Sequence, residues 1–126
     1  MSYVSPNQAM AKKKKSNPIK LSAIDADLLT VLQYGHTLYG LQILEEINNG
    51  RPIPLGFGSL YPALNRLEKK GLVTWKWGDE QDCSGGARRK YYEISGLGAT
   101  AIDKEQAYRA ELARRAVPDK PILGGT

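Results

Sequence analysis

Ser59-Leu-Tyr-Pro-Ala-Leu-Asn-Arg-Leu-Glu-Lys-Lys-Gly-Leu-Val-Thr-Trp-Lys-Trp77 is the most informative run of the chain, because two periodicities meet inside it. Up to Lys70, the apolar residues Leu60, Leu64 and Leu67 recur at the spacing of a helix buried along one side. Gly71 stops that helix as a C′ residue. Pro62 has no N–H to give, so it must lie near the helix start or kink it. From Leu72 the period becomes two. Val73, Trp75 and Trp77 alternate with Leu72, Thr74 and Lys76, as in a strand.

Downstream, Arg89-Lys-Tyr-Tyr-Glu-Ile94 reads as a second strand. The polar stretch from Gly78 to Arg88, with Gly85-Gly86, makes a long hairpin loop between the two. Such a hairpin is not stable alone in water, so it must pack on the helices. Trp75, Trp77 and Tyr92 supply that packing; stacking on a ligand is the other reading of the tryptophans. Ser95 then caps a last helix to about Ala116, with Leu97, Ala101, Tyr108 and Leu112 as a thin apolar stripe.

Upstream, Ser22-Ala-Ile-Asp25 has capping-box spacing, and Ile24, Leu28, Val31 and Leu32 follow at helical intervals. A first helix is expected from about Leu21 to Gln33. Tyr34-Gly-His-Thr37 breaks it, and Thr37 is available to cap the next. The second helix carries Leu41, Leu44 and Ile47 on one face with Leu38 and Ile43 alongside, and ends at Asn48-Asn49-Gly50. Gly40 costs this helix about 1 kcal/mol against Ala, a cost that close packing on the first helix would explain. Arg51 to Gly58 is a loop by its prolines and glycines.

The order is helix, helix, helix, strand, long loop, strand, helix. The expected fold is mainly α with a small two-stranded antiparallel β wing: a winged helix-turn-helix plus one C-terminal helix. The expected division is a flexible basic arm over 1–20, the winged-helix domain over 21–94, a dimerisation helix over 95–116 and a disordered tail over 117–126.

The chain has 126 residues, enough for one such domain. No apolar run approaches the ~18–20 residues of a membrane span, and no secretory signal follows the N-terminal lysines. One cysteine, Cys83, and one histidine, His36, exclude a disulfide framework and a Cys/His zinc site. No catalytic arrangement or cofactor motif appears, so no cofactor is expected, and an intracellular, cytoplasmic location is the expectation. His36 reads as a solvated turn residue. Cys83 reads as an idle loop thiol, or as a redox sensor if its pKa is lowered.

The net charge is +5. Lys12, Lys13, Lys14, Lys15 and Lys20 precede the first acid, Asp25, and the remainder of the chain is balanced. The lysine arm is either a solubilising tail or a strip that lies along nucleic-acid phosphates. The third helix favours the second reading. Opposite its leucines it carries Pro62, Asn65, Arg66 and Lys69, with Ser59 and Tyr61 on the flanks and Glu68 turned sideways. A face of Asn, Arg and Lys can read base edges and phosphates in a major groove, whose width suits one helix. Arg88, Arg89 and Lys90 at the root of the wing add a second basic element suited to phosphates.

At Gly58–Leu72 and at Gly85-Gly-Ala-Arg-Arg-Lys-Tyr-Tyr-Glu-Ile-Ser95 the chain resembles the PadR family of transcriptional regulators, over roughly Leu21 to Leu112. The resemblance implies a homodimer held largely by the last helix that binds an operator and usually represses. It implies DNA contacts at Ser59, Tyr61, Asn65, Arg66, Arg88, Arg89 and Lys90. Family members often carry several C-terminal helices; this chain has room for one, so the family's larger effector-binding domains are not expected. The short form with a basic arm is similar to members associated with the circadian clock. The expected partners are therefore double-stranded DNA and a second copy of the chain, with any small-molecule effector unknown. A winged-helix module that binds protein instead of DNA is the alternative.

Overall fold

A computed structural model of the chain describes residues 19–79 and 88–116. Helix α1 spans Ala23–Val31. A short 3-10 turn follows at Gln33–Gly35. Strand β1 is the pair Leu38–Tyr39, α2 is Gly40–Asn48 and α3 is Phe57–Lys69. Strands β2 (Val73–Trp77) and β3 (Lys90–Ile94) lead to α4, Gly96–Arg115.

The start of α1 is the expected capping box. Ser22 Oγ accepts from the Asp25 N–H, and Asp25 Oδ2 accepts from the Ser22 N–H, both at 3.1 Å. The helix is shorter at each end than its periodicity suggests, and Tyr34 turns the chain in the left-handed region at φ 64°. The end of α3 is a full Schellman motif. Gly71, at φ +77°, donates to the Glu68 carbonyl and Leu72 donates to the Leu67 carbonyl. That motif lets the chain pass from α3 into β2 with its helix-end carbonyls satisfied.

The sheet has three strands in the order β1-β3-β2, all antiparallel, and not the two expected. Leu38 pairs with Tyr92 and Tyr39 with Tyr91, closing the free edge of β3. Two residues are too few to show a period of two, so β1 is invisible to pattern reading. Leu38, Tyr92 and Trp75 form one row across the sheet and turn toward the core; Tyr39, Tyr91 and Lys76 form a row on the opposite face.

The core joins Leu28, Leu29 and Leu32 of the α1 segment, Ile43 and Ile47 of α2, Leu60, Ala63, Leu64 and Leu67 of α3, then Leu72, Val73, Tyr92 and Ile102. Four expectations are corrected here. Ile43 and Ile47 form the buried face of α2, while Leu41 is exposed. Gly40 packs against α3 and not α1: a Cβ there would sit 2.0 Å from Tyr61 Oη. Thr37 does not cap α2; its hydroxyl donates to Glu93, while Gln42 Oε1 accepts from the Tyr39 N–H. Trp77 is 53% exposed and lies edge-on to Trp75 beyond the core.

Helix α4 returns along α1. Ser95 Oγ accepts from the Gly98 N–H and donates to the Gly71 carbonyl, fixing the helix start beside the α3 cap. Ile102, outside the expected stripe, is the α4 side chain in the core. Farther along, Gln33 and Gln106 exchange reciprocal amide bonds of 3.2 and 2.9 Å. Gln33 is buried and also donates to Asp103. Every polar atom of that amide therefore has a partner, which burial demands.

Candidate nucleic-acid interface

Helix α3 turns by about 100° per residue, so its four buried side chains define its orientation. Gly58, Pro62, Asn65 and Lys69 lie farthest from the core, and all are exposed. One flank faces α1 and carries Ser59, Arg66 and Lys70. The other faces α2 and β2 and carries Phe57, Tyr61 and Glu68.

The α1 flank is tied by charge. Arg66 Nη2 donates to Asp25 Oδ1 at 3.1 Å, and Lys70 Nζ stands 4.0 Å from Asp25 Oδ2. Asp25 is 2% exposed, so its cap role and these cations together meet the demands of a buried carboxylate. Lys70 Nζ also donates to the Lys20 carbonyl at 3.0 Å. That bond places the point where the lysine-rich segment joins the domain beside the C-terminal end of α3.

The other flank is tied by aromatic packing. Glu68 Oε2 accepts from Trp75 Nε1 at 2.8 Å, which turns the acid of α3 sideways as expected. Phe57 and Tyr61 stack nearly parallel, 5.6 Å between centroids and 15° between planes. Phe57 belongs to α3, which begins two residues before its expected start, so the apolar periodicity leaves this residue in the preceding loop. Its signal is the four-residue spacing to Tyr61, which pairs side chains only once both are helical.

Three basic residues at the wing root are each engaged within the domain. Arg88 donates through Nε and Nη2 to the Gly78 carbonyl at 3.2 and 2.8 Å. With Gly78 N–H to Arg89 carbonyl, this closes the open end of the β2–β3 pair. The Arg89 guanidinium lies 4.4 Å over the Tyr39 ring, itself edge-on to Tyr91. Lys90 Nζ lies 4.0 Å over Trp75. Arg89 and Lys90 therefore carry charge to opposite faces of the sheet, one beside Tyr39 and the other beside Trp75. Cys83, Gly85 and Gly86 of the loop, and Lys12 to Lys15 of the arm, lie outside the described residues.

On α4, Leu97, Tyr108 and Leu112 are exposed at 50%, 54% and 39%, and Ala101 is half-buried against the core. Among the described residues, no helix is long and apolar enough to cross a membrane, and no three metal-ligating side chains cluster.

Three helices closed by a small antiparallel sheet, with an acid-free outward face on the third helix, are a winged helix-turn-helix. The chain belongs to the PadR-like family of transcriptional regulators, whose pattern matches residues 28–104. It is a family of non-enzymatic DNA-binding proteins. The chain is 34% identical over 87 residues to an uncharacterized protein of Lysinibacillus sphaericus, covering 68% of this chain and 71% of the other. It is 35% identical over 68 residues to a transcriptional regulator of Mycobacterium tuberculosis, covering 54% of each. A PadR family regulator structure from Clostridium difficile superposes with a TM-score of 0.62 at 30% identity, over 73% of this chain and 93% of that one. A PadR-like factor from Bacteroides fragilis gives 0.64 at 22% identity, over 86% and 94%, and shows the fold alone.

Proposed function

We propose that the chain is a homodimeric, sequence-specific DNA-binding repressor acting in the cytoplasm on the nucleoid. The observation that carries this reading is the outward face of α3, with Asn65 and Lys69 outermost, Ser59, Tyr61 and Arg66 flanking, and the helix's acid drawn off to Trp75. Asn65 and Lys69 read base edges, and Arg66 reaches the groove from its anchor on Asp25. Arg88, Arg89 and Lys90 place the wing on phosphates, and the arm of Lys12, Lys13, Lys14 and Lys15 adds affinity with little choice of sequence. Leu97, Tyr108 and Leu112, exposed on a long helix, form the two-fold contact with the half-buried Ala101 beside them, since such a stripe supports burial against a second copy. The basic arm before the first helix is the feature that supports a repressor associated with a circadian clock.

The test is a salt titration of binding to duplex DNA. Log affinity against log salt should fall with a slope of about −0.9 per phosphate neutralised, and a duplex selected from a random pool should bind at least a hundredfold tighter than the unselected pool. Weak binding to every duplex would turn the reading to a protein-binding winged helix.

A further inference from the structure

We propose that Phe57, backed by Tyr61, reads a thymine through its 5-methyl group in the major groove. The proposal rests on the DNA-reading role of α3 given above and names a residue and a base for it.

Phe57 is 45% exposed and Tyr61 41%, although both are large aromatic side chains. They are also held in place. The two rings stack, and the Tyr61 phenol is seated on the backbone of Gly40, where no Cβ would fit. A flat apolar surface is therefore fixed at the N-terminal end of α3 and left facing solvent.

Its surroundings say what covers it. Gly56 and Gly58, on either side of Phe57, have open space around them. Gly58 and Pro62 occupy the outermost line of α3 and extend no long side chain, so the helix can approach a surface closely there. Asn65 and Lys69 continue that line, and Glu68 is turned away to Trp75. A partner must accept a cationic, acid-free ridge and also offer a small apolar group within reach of its flank. The major groove of DNA does both: phosphates line its walls, and the thymine methyl is the apolar group on its floor, where aromatic side chains meet it. An apolar patch on a protein would match the rings and leave Asn65 and Lys69, farther along the same ridge, unanswered.

The experiment uses the full chain and a duplex selected from a random pool. Each thymine is replaced in turn by deoxyuridine, which lacks only the methyl, and affinity is measured by fluorescence anisotropy. The wild-type chain should lose about fourfold at one or more thymines, the value of one buried methyl group. Phe57→Ala should bind more weakly yet be blind to the same replacement, with its salt slope unchanged. Phe57→Leu, which keeps an apolar contact, should retain part of the sensitivity. A chain that selects a duplex and shows no methyl dependence overturns the proposal alone, as does a dependence that persists undiminished in both variants. A wild-type chain that selects no duplex overturns the DNA-reading function and the proposal with it.

Discussion

Arg66 of the third helix donates to Asp25 of the first across 3.1 Å, and the two ends of that bond live in different media. The carboxylate is buried, whereas the arginine side chain is 49% exposed. Asp25 meanwhile caps its own helix through Ser22. One carboxylate thus sets the start of α1 and the angle of α3 against it, so a side chain of the proposed reading helix also serves the fold.

Arg66→Ala should therefore lower stability as well as alter DNA binding. Removing the charged partner of a buried carboxylate costs about 1–2 kcal/mol, discounted here because the guanidinium is half in water and Lys70 stands nearby. Thermal melts should show a drop of several degrees. Asn65→Ala, with an exposed side chain on the outermost line, should melt as the wild type does while losing affinity for the selected duplex. A normal melt for Arg66→Ala would make the bond to Asp25 incidental to stability.

Gly40, beneath Tyr61, and Gly58, beside Phe57, should respond oppositely to alanine. In Gly40→Ala the new Cβ must displace the Tyr61 ring, at a cost of about 1–3 kcal/mol. Gly58 sits in α3 with nothing within 4 Å of a Cβ, so Gly58→Ala should stabilise by up to about 1 kcal/mol. Paired melts, one falling and one rising, check this; two falling melts would mean that the α3 start is tighter than its packing indicates.

Light scattering at micromolar concentration should give a mass near twice 13.9 kDa. Tyr108→Glu or Leu112→Glu, each placing a charge in the exposed stripe of α4, should bring the mass toward that of one chain. A single-chain mass for the wild type would remove the dimer from the proposed function.

Deleting residues 1–18 should weaken binding to selected and random duplexes alike. The salt slope should become shallower by up to about four units, roughly 0.9 for each of Lys12 to Lys15. An unchanged slope would leave the arm a solubiliser.

Burial, reinforced by the charges of Tyr61 and Glu68, raises the Tyr92 phenol above its ordinary 10.0. The unfolded chain then loses this proton before the folded one. The neutral phenol's contribution is whole below pH 10 and lost as pH rises toward the folded value. Melts above pH 10 should fall more steeply for the wild type than for Tyr92→Phe. Equal slopes would mean that Tyr92 titrates alike in both states.

Pattern along the chain suffices for the helices, the long strands and the caps at Ser22, Gly71 and Ser95, because these rest on interactions within a few residues; the cap of α2 is not among them. The Ser22–Asp25 box, the Gly71 stop and the Leu60/Leu64/Leu67 face were all legible there and are all present. The PadR resemblance was legible too, since it rests on contiguous runs. What each side chain does once it has neighbours distant in sequence is settled by packing. Strand β1 exists because β3 offers it an edge more than fifty residues away. Gly40 answers to Tyr61, Gln33 to Gln106, and the exposed arginine of α3 to a buried acid of α1. Helical and strand periodicity separates a buried face from an exposed one. It carries no information about which partner waits across the gap, because that depends on the closing of loops whose ends the local pattern does not relate.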